Sequence, residues 1–300
     1  MTAPARGDLR LVDQPPRDES GDEAWVDVGL SLPASPGDRD VYAAVSRTTA
    51  GLRAAGLVDL SFFVHKPPGL RWRCHLTPGS CPDAVTAAMA AGVRPVAGPA
   101  ARLVYEPQQA LFGGGRSMQL VHRTWDADST MWLSLLAAGP CGRRVRWTTS
   151  LSALTHVLRA LGVVGWEDRD VWDRVVRDTG RRLAEQEWAR PQVQALAAAL
   201  RAEWAARWPA DDGTAPPAPP AVHDFAAAAV PPLELWREEC GGRAALDYSL
   251  TPRRVAALWT VFHWNRAGLA GAHQALAAQT LAGRLLAADA APPVSAADRR

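Results

Sequence analysis

Arg71, Arg73 and His75 fall two residues apart in Leu70-Arg71-Trp72-Arg73-Cys74-His75-Leu76, a segment whose even positions are apolar and whose odd positions are basic. Successive side chains of a strand point to opposite faces, so the three basic groups share one face and Leu70, Trp72, Cys74 and Leu76 bury the other. Two guanidiniums and an imidazole on one face offer rigid forks of donors suited to carboxylate or phosphate. The same alternation also describes a sheet with one solvated face, and spacing alone leaves both open. A second group lies near the other end of the chain, in Val261-Phe262-His263-Trp264-Asn265-Arg266. There Trp259, His263 and Arg266 stand at i, i+4 and i+7 and occupy one face of a helix. A histidine so placed is either a hydrogen-bonded core residue or a general base, since imidazole titrates near neutrality.

A third group is Tyr105-Glu106-Pro107-Gln108-Gln109-Ala110-Leu111-Phe112-Gly113-Gly114-Gly115. A glycine run lets backbone N–H groups approach a ligand, but no phosphate-loop GK[ST] or dinucleotide GxGxxG pattern accompanies it, and a mobile loop is expected. Cys74, Cys81, Cys141 and Cys240 are not at zinc-ligand spacing. Neither are His122, His156, His223 and His273, and no Ser-His-Asp grouping can be argued from the sequence.

The elements that must position these residues follow from periodicity and punctuation. Residues 1–22 are polar, charged and proline-containing, and read as a loose arm. A strand is expected over 24–32, a helix over roughly 38–56, a strand over 59–65 and a turn at Lys66-Pro67-Pro68-Gly69 leading into the basic strand. A helix near 82–92, a strand near 101–106 and a helix starting around Asp128-Ser129 follow. From about 150 the pattern is helical. Pro191 opens an amphipathic stripe (Val193, Leu196, Leu200, Trp204, Trp208), residues 209–222 form a proline-rich loop, and Thr251-Pro252 supplies N-cap and N1 signals for a helix ending near Arg266, before Gly268. The expected fold is α+β, with a mixed β-sheet and flanking helices in the N-terminal half and a mostly helical C-terminal half. One domain is expected over 23–288, its α/β part reaching about 149 and its helical part 150–288, with a flexible tail at 289–300.

The chain has 300 residues, with 33 basic and 31 acidic side chains. That balance argues against a dedicated nucleic-acid binder. No stretch approaches about 18 consecutive apolar residues, so a membrane helix is not expected, and the charged N-terminus lacks the apolar core of a secretory signal. A reducing cytoplasm is the expected compartment.

Three segments together resemble a known family. Phe62 to Arg73, with Lys66-Pro67-Pro68-Gly69 at its centre, is similar to the strand-turn-strand of the lantibiotic dehydratase C-terminal region, also called the thiopeptide-type bacteriocin biosynthesis domain. Tyr105-Glu106-Pro107 through Phe112-Gly113-Gly114, then Met118, His122 and Asp128-Ser129, resembles its second block. Phe262-His263-Trp264-Asn265-Arg266-Ala267-Gly268-Leu269 resembles its HxxNRxG block. The order and spacing fit from roughly Trp25 to about 285.

The resemblance implies β-elimination of glutamate from glutamylated Ser or Thr of a ribosomal precursor peptide, leaving dehydroalanine or dehydrobutyrine. This chain would be the stand-alone half of a split dehydratase. Its partners would be a glutamylating, glutamyl-tRNA-dependent subunit and the precursor peptide; no metal or organic cofactor is implied, and no direct nucleic-acid contact. A homodimer or heteromer is compatible with it. His263 would be the base, and Arg71 and Arg73 would hold glutamate carboxylates and developing charge. Lys66, Tyr105, Glu106, Arg266, Asn265, His75 and Arg116 would contact substrate or support those that do. Full-length relatives often carry an arginine where this chain has Leu111 and a carboxylate where it has Gln108, so Arg116 or Arg102 would have to substitute. Two other functions fit the same resemblance: pyridine formation by [4+2] cycloaddition of dehydroalanines with leader release, and a non-catalytic scaffold for the precursor peptide.

Overall fold

A computed structural model describes residues 25–32, 38–98, 100–139, 141–208, 216–244 and 251–283. The expected N-terminal arm, the 209–215 part of the proline-rich loop and the C-terminal tail lie outside the described residues.

The N-terminal part runs β1 (Trp25–Leu30), α1 (Asp38–Ala54), β2 (Val58–Lys66), β3 (Gly69–Leu76), α2 (Pro82–Val93) and β4 (Ala101–Leu103), in a sheet ordered β2-β3-β1-β4. The α+β class is as expected, but each strand pairing is antiparallel rather than mixed. The reason lies in the tight turn after β2. β1 and β2 are connected through α1 and run the same way, yet β3 folds back from β2 and slots between them, so no parallel neighbours remain. The result is a split β-α-β arrangement with ferredoxin-like order.

Alternation along β3 is realised as read. Leu70, Trp72 and Cys74 are fully buried on the face toward α1, where Trp72 Nε1 donates to Ser61 Oγ at 3.0 Å. Arg71, Arg73 and His75 stand on the opposite face, in register with Gly29, Asp27 and Trp25 of β1.

The remainder is helical: α3 (Gln109–Phe112), α4 (Gly115–Ala138), α5 (Arg143–Ala160), α6 (Asp168–Thr179), α7 (Glu185–Trp188), α8 (Pro191–Ala205), α9 (Pro220–Ala244), α10 (Pro252–Arg266) and α11 (Gly271–Ala282). The helix expected to start at Asp128-Ser129 begins at Gly115 instead, placing both residues in its middle. The glycine run is not a loose loop. Gly113 and Gly114 both have φ of 93°, a left-handed conformation that turns the chain from α3 into α4 and that glycine adopts without strain.

α4 and α10 seal the outer edge of β2. The backbone N–H groups of Ser61 and Phe63 point away from β3 and donate to Asp126 Oδ1 (2.8 Å) and Ser129 Oγ (3.2 Å). His65 Nδ1–H donates to the carbonyl of Asn265 at 2.9 Å, and its Nε2 accepts from the Tyr42 hydroxyl at 2.7 Å. α10 is fixed at both ends. Thr251 Oγ1 caps Arg254 N at 3.3 Å, and Gly268, at φ 65°, closes a Schellman turn in which Leu269 N donates to Trp264 O.

Candidate active site

On the basic face, Arg73 is the centre. Asp27 faces it from β1 and its Oδ2 accepts from Arg73 Nε at 2.8 Å, with both residues buried. The guanidinium lies over Tyr105 (4.5 Å to the ring centroid) and Phe62 (5.4 Å), so its charge is held by one carboxylate and two ring faces. Tyr105 in turn donates its hydroxyl to His122 Nε2 at 2.7 Å. Burial, with Coulombic repulsion from His75 and Arg73, pushes the His122 pKa down to about 3, which fits a neutral ring accepting that bond.

A second hub lies where α4, α5 and α10 meet. His263 is wholly buried, Nδ1 at 2.8 Å from Asp128 Oδ1 and Nε2 at 2.9 Å from Ser150 Oγ. Its ring stacks on Trp259 at 5.1 Å. Three residues on, Arg266 is also wholly buried and donates through Nε to Asp128 Oδ2. Burial pushes the Asp128 carboxyl up, but electrostatic attraction and hydrogen bonds from His263 and Arg266 outweigh it and leave the pKa below the ordinary carboxylate value. Burial also lowers the Arg266 pKa, against the pull of Asp128.

The two hubs meet through aromatic rings. Arg266 lies 5.3 Å from the Trp125 centroid, Trp125 packs on Phe62 at 5.2 Å, and Phe62 carries Arg73. The guanidiniums of Arg73 and Arg266 lie within electrostatic reach, and the charge of Arg73 adds slightly to the lowering of the Arg266 pKa. Arg266 Nη1 and Nη2, Trp125 Nε1 and Asp27 Oδ1 are buried without hydrogen-bond partners. Three unsatisfied donor atoms around one cation form an environment that an anionic acceptor would satisfy.

Arg73, Tyr105, His263 and Arg266 are thus brought into one connected cluster. His75 stands at its rim, against Trp25 and 2.6 Å from Asp59. Asn265 is half-buried and bonds Gln274, so it supports the helix end rather than the cluster. Arg71 is half-buried, its Nε 3.4 Å from the Pro67 carbonyl. Lys66 and Glu106 are exposed. Arg116, also exposed, pairs with Glu239 at 2.8 Å, and Arg102 with Asp83 at 2.7 Å, so neither enters the cluster in place of the family arginine at Leu111. Sequence reading passed over Asp27, Trp125 and Ser150 and gave Asp128 no chemical role. Only Asp27 left a local signal, as the lone charge in the apolar strand Trp25-Val-Asp-Val-Gly-Leu30. Among the described residues no group of three or more His, Cys, Asp or Glu side chains is placed to hold a metal, and no helix is long and apolar enough to cross a membrane.

The model of the lantibiotic biosynthesis dehydratase C-terminal family matches residues 25–286, spanning both hubs. The chain belongs to that family. Three solved structures share the fold. The tRNA-dependent lantibiotic dehydratase MibB from Microbispora sp. 107891 is 14% identical with a TM-score of 0.56; the match covers 88% of this chain but only 28% of MibB. TsrL is 13% identical with a TM-score of 0.62, covering 87% of this chain and 94% of TsrL. TbtD, the pyridine synthase from thiomuracin biosynthesis, is 16% identical with a TM-score of 0.51, covering 86% of this chain and 98% of TbtD. No curated protein matches. This member of the dehydratase C-terminal family therefore shares its fold with proteins of lantibiotic and thiopeptide biosynthesis. Its cluster draws on all three of the sequence blocks that carry the resemblance.

Proposed function

We propose that this protein is a glutamate-eliminating lyase acting on glutamylated Ser or Thr of a ribosomal precursor peptide. One observation carries the reading: a buried Arg266 guanidinium with two acceptorless amino groups lies on the same helix as His263 and within electrostatic reach of Arg73. Elimination needs a base for the Cα proton and a cationic cradle for a departing carboxylate. His263 takes the proton. The C–H pair becomes the Cα=Cβ double bond as the Cβ–O bond breaks, and glutamate leaves as a carboxylate toward Arg73 and Arg266. Such aimed charge acts strongly where water is excluded. Ser150 covers His263 Nε2, so the reaction requires the packing of α5 against α10 to open at that nitrogen.

The esterified peptide would come from a glutamyl-tRNA-dependent partner, and the reaction would take place in the cytoplasm. A second reading, pyridine formation, is favoured by one observation: the match to TbtD spans nearly all of that pyridine synthase. Mass spectrometry of a pre-glutamylated precursor incubated with the purified chain separates the two. The lyase reading expects loss of glutamate from each ester and a linear dehydrated peptide. An unchanged ester in the presence of the partner subunit overturns it, and a macrocycle plus free leader from an already dehydrated peptide establishes the other.

A further inference from the structure

Asp128 divides its carboxylate between two different bases. One oxygen faces His263 Nδ1 at 2.8 Å, and the other takes Arg266 Nε–H. All three side chains are fully excluded from solvent. The other ring nitrogen faces Ser150 Oγ at 2.9 Å. Ser150 Oγ also accepts from Trp264 Nε1–H at 3.2 Å, which leaves its own proton free to be donated to His263 Nε2. One further donor reaches the ring, Trp132 Nε1, but at 3.4 Å from Nδ1 its bond is long, and the carboxylate at 2.8 Å holds that nitrogen.

These contacts fit one arrangement of the neutral ring: the proton on Nδ1, given to Asp128, and the lone pair on Nε2. We propose that Asp128 is the positioning residue of this site, fixing His263 in the Nδ1–H tautomer and orienting Arg266 through the same carboxylate. The base and the anion-binding cation are thus set by a single side chain, and neither can turn without disturbing the other. The proposal deepens the lyase reading and rests on it for its kinetic consequence, while the tautomer itself stands independently.

The isosteric Asp128→Asn variant supplies the test. Arg266 Nε can only donate, so the asparagine carbonyl must face it and the amide NH₂ must face His263 Nδ1. That nitrogen then becomes an acceptor and the proton moves to Nε2, reversing the ring. The readout is 15N NMR of the full-length protein with 15N-histidine, His263 being assigned by the signal lost in His263→Gln. Wild type is expected to show a protonated Nδ1 and unprotonated Nε2, and Asp128→Asn the reverse. Glutamate release by Asp128→Asn is expected to fall about 10²- to 10⁴-fold in kcat with KM little changed, the range for a lost positioned proton transfer. Ser150→Ala is expected to keep the Nδ1–H tautomer, because Asp128 sets it. An Nε2–H ring in the wild type, or in Ser150→Ala, overturns the proposal without requiring Asp128→Asn to fold. An unreversed ring in a folded Asp128→Asn overturns it too. The reversed tautomer together with no glutamate release by the wild type would uphold the positioning role and sink the lyase reading.

Discussion

Removing Asp27 tests whether the basic sheet face is an interior site or a solvated surface. Arg73 is 8% exposed and Asp27 1%, and their contact at 2.8 Å is the only ion pair that either side chain makes among the described residues. Asp27→Ala leaves a guanidinium buried over Phe62 and Tyr105 without its carboxylate. Breaking a buried pair from one side costs about 3–5 kcal/mol, whereas an exposed pair contributes about 0–1 kcal/mol. The ring contacts exist before and after the change, so they do not reduce that cost. Asp27→Asn retains an acceptor and loses only the charge, so its loss should be the smaller of the two. Replacing both partners by apolar residues of similar size, Asp27→Leu with Arg73→Met, should recover most of the stability, since it removes the stranded charge. Equilibrium urea denaturation at pH 7 reads all three. A loss below about 1 kcal/mol in Asp27→Ala, or a double variant no better than the single one, would refute the burial of charge on this face and with it the proposed anion site.

Thr251→Ala removes the N-cap of α10 and should cost about 1 kcal/mol in the same denaturation assay. Gly268→Ala places a Cβ 2.6 Å from Arg146 Nη1 and forces a left-handed residue, so about 2 kcal/mol or more should be lost, and serine at this position should fare no better. His122 is neutral and buried, with a folded pKa of about 3 against an ordinary value of 6.5, so the unfolded chain binds its proton first as pH falls. Its stabilising effect is complete above about pH 6.5 and declines by about 1.4 kcal/mol per pH unit on acidification toward 3. Denaturation at pH 6.5 and 5.0 should show this slope in the wild type and a shallower one in His122→Phe.

Much of the scaffold could be read from the chain because its signals are local. Alternation along 70–76, the turn at Pro67-Pro68-Gly69, and Thr251-Pro252 with Gly268 each lie within a few residues of the structure they specify. The start of α4 was misplaced because a glycine run is a weak helix signal by itself, and the pairing partners of β1 depend on where β3 inserts, which no local pattern encodes. The site divides in the same way. Arg73 and His263 were legible as residue types suited to an anion and a proton. Their partners were not: Ser150 is one of five hydroxyl-bearing residues in α5, and Asp128 sits in mid-helix with nothing nearby to show which residues it serves. The exposed Lys66 and Glu106 were singled out by motif position, and Arg116 as a stand-in for the arginine that Leu111 replaces; neither criterion reports burial.

The sequence separations within the cluster bear on when a site of this kind can exist. Asp27 and Arg73 are 46 residues apart, Ser150 and His263 are 113 apart, and Asp128 lies 135 residues from His263 and 138 from Arg266. Each of these contacts closes a long loop, the kind of pairing that forms late because chain entropy is lost before the contact forms. α10 is also near the end of the described chain, so during synthesis the carboxylate of Asp128 and the guanidinium of Arg73 emerge well before the helix that joins them. A nascent or truncated chain lacking α10 carries β1 to β4 and α4, yet it has neither His263 nor Arg266. Assembly of the cluster therefore serves as a completeness check on the polypeptide: the arrangement of Asp128, Ser150, His263 and Arg266 arises only once the last of the three blocks has docked.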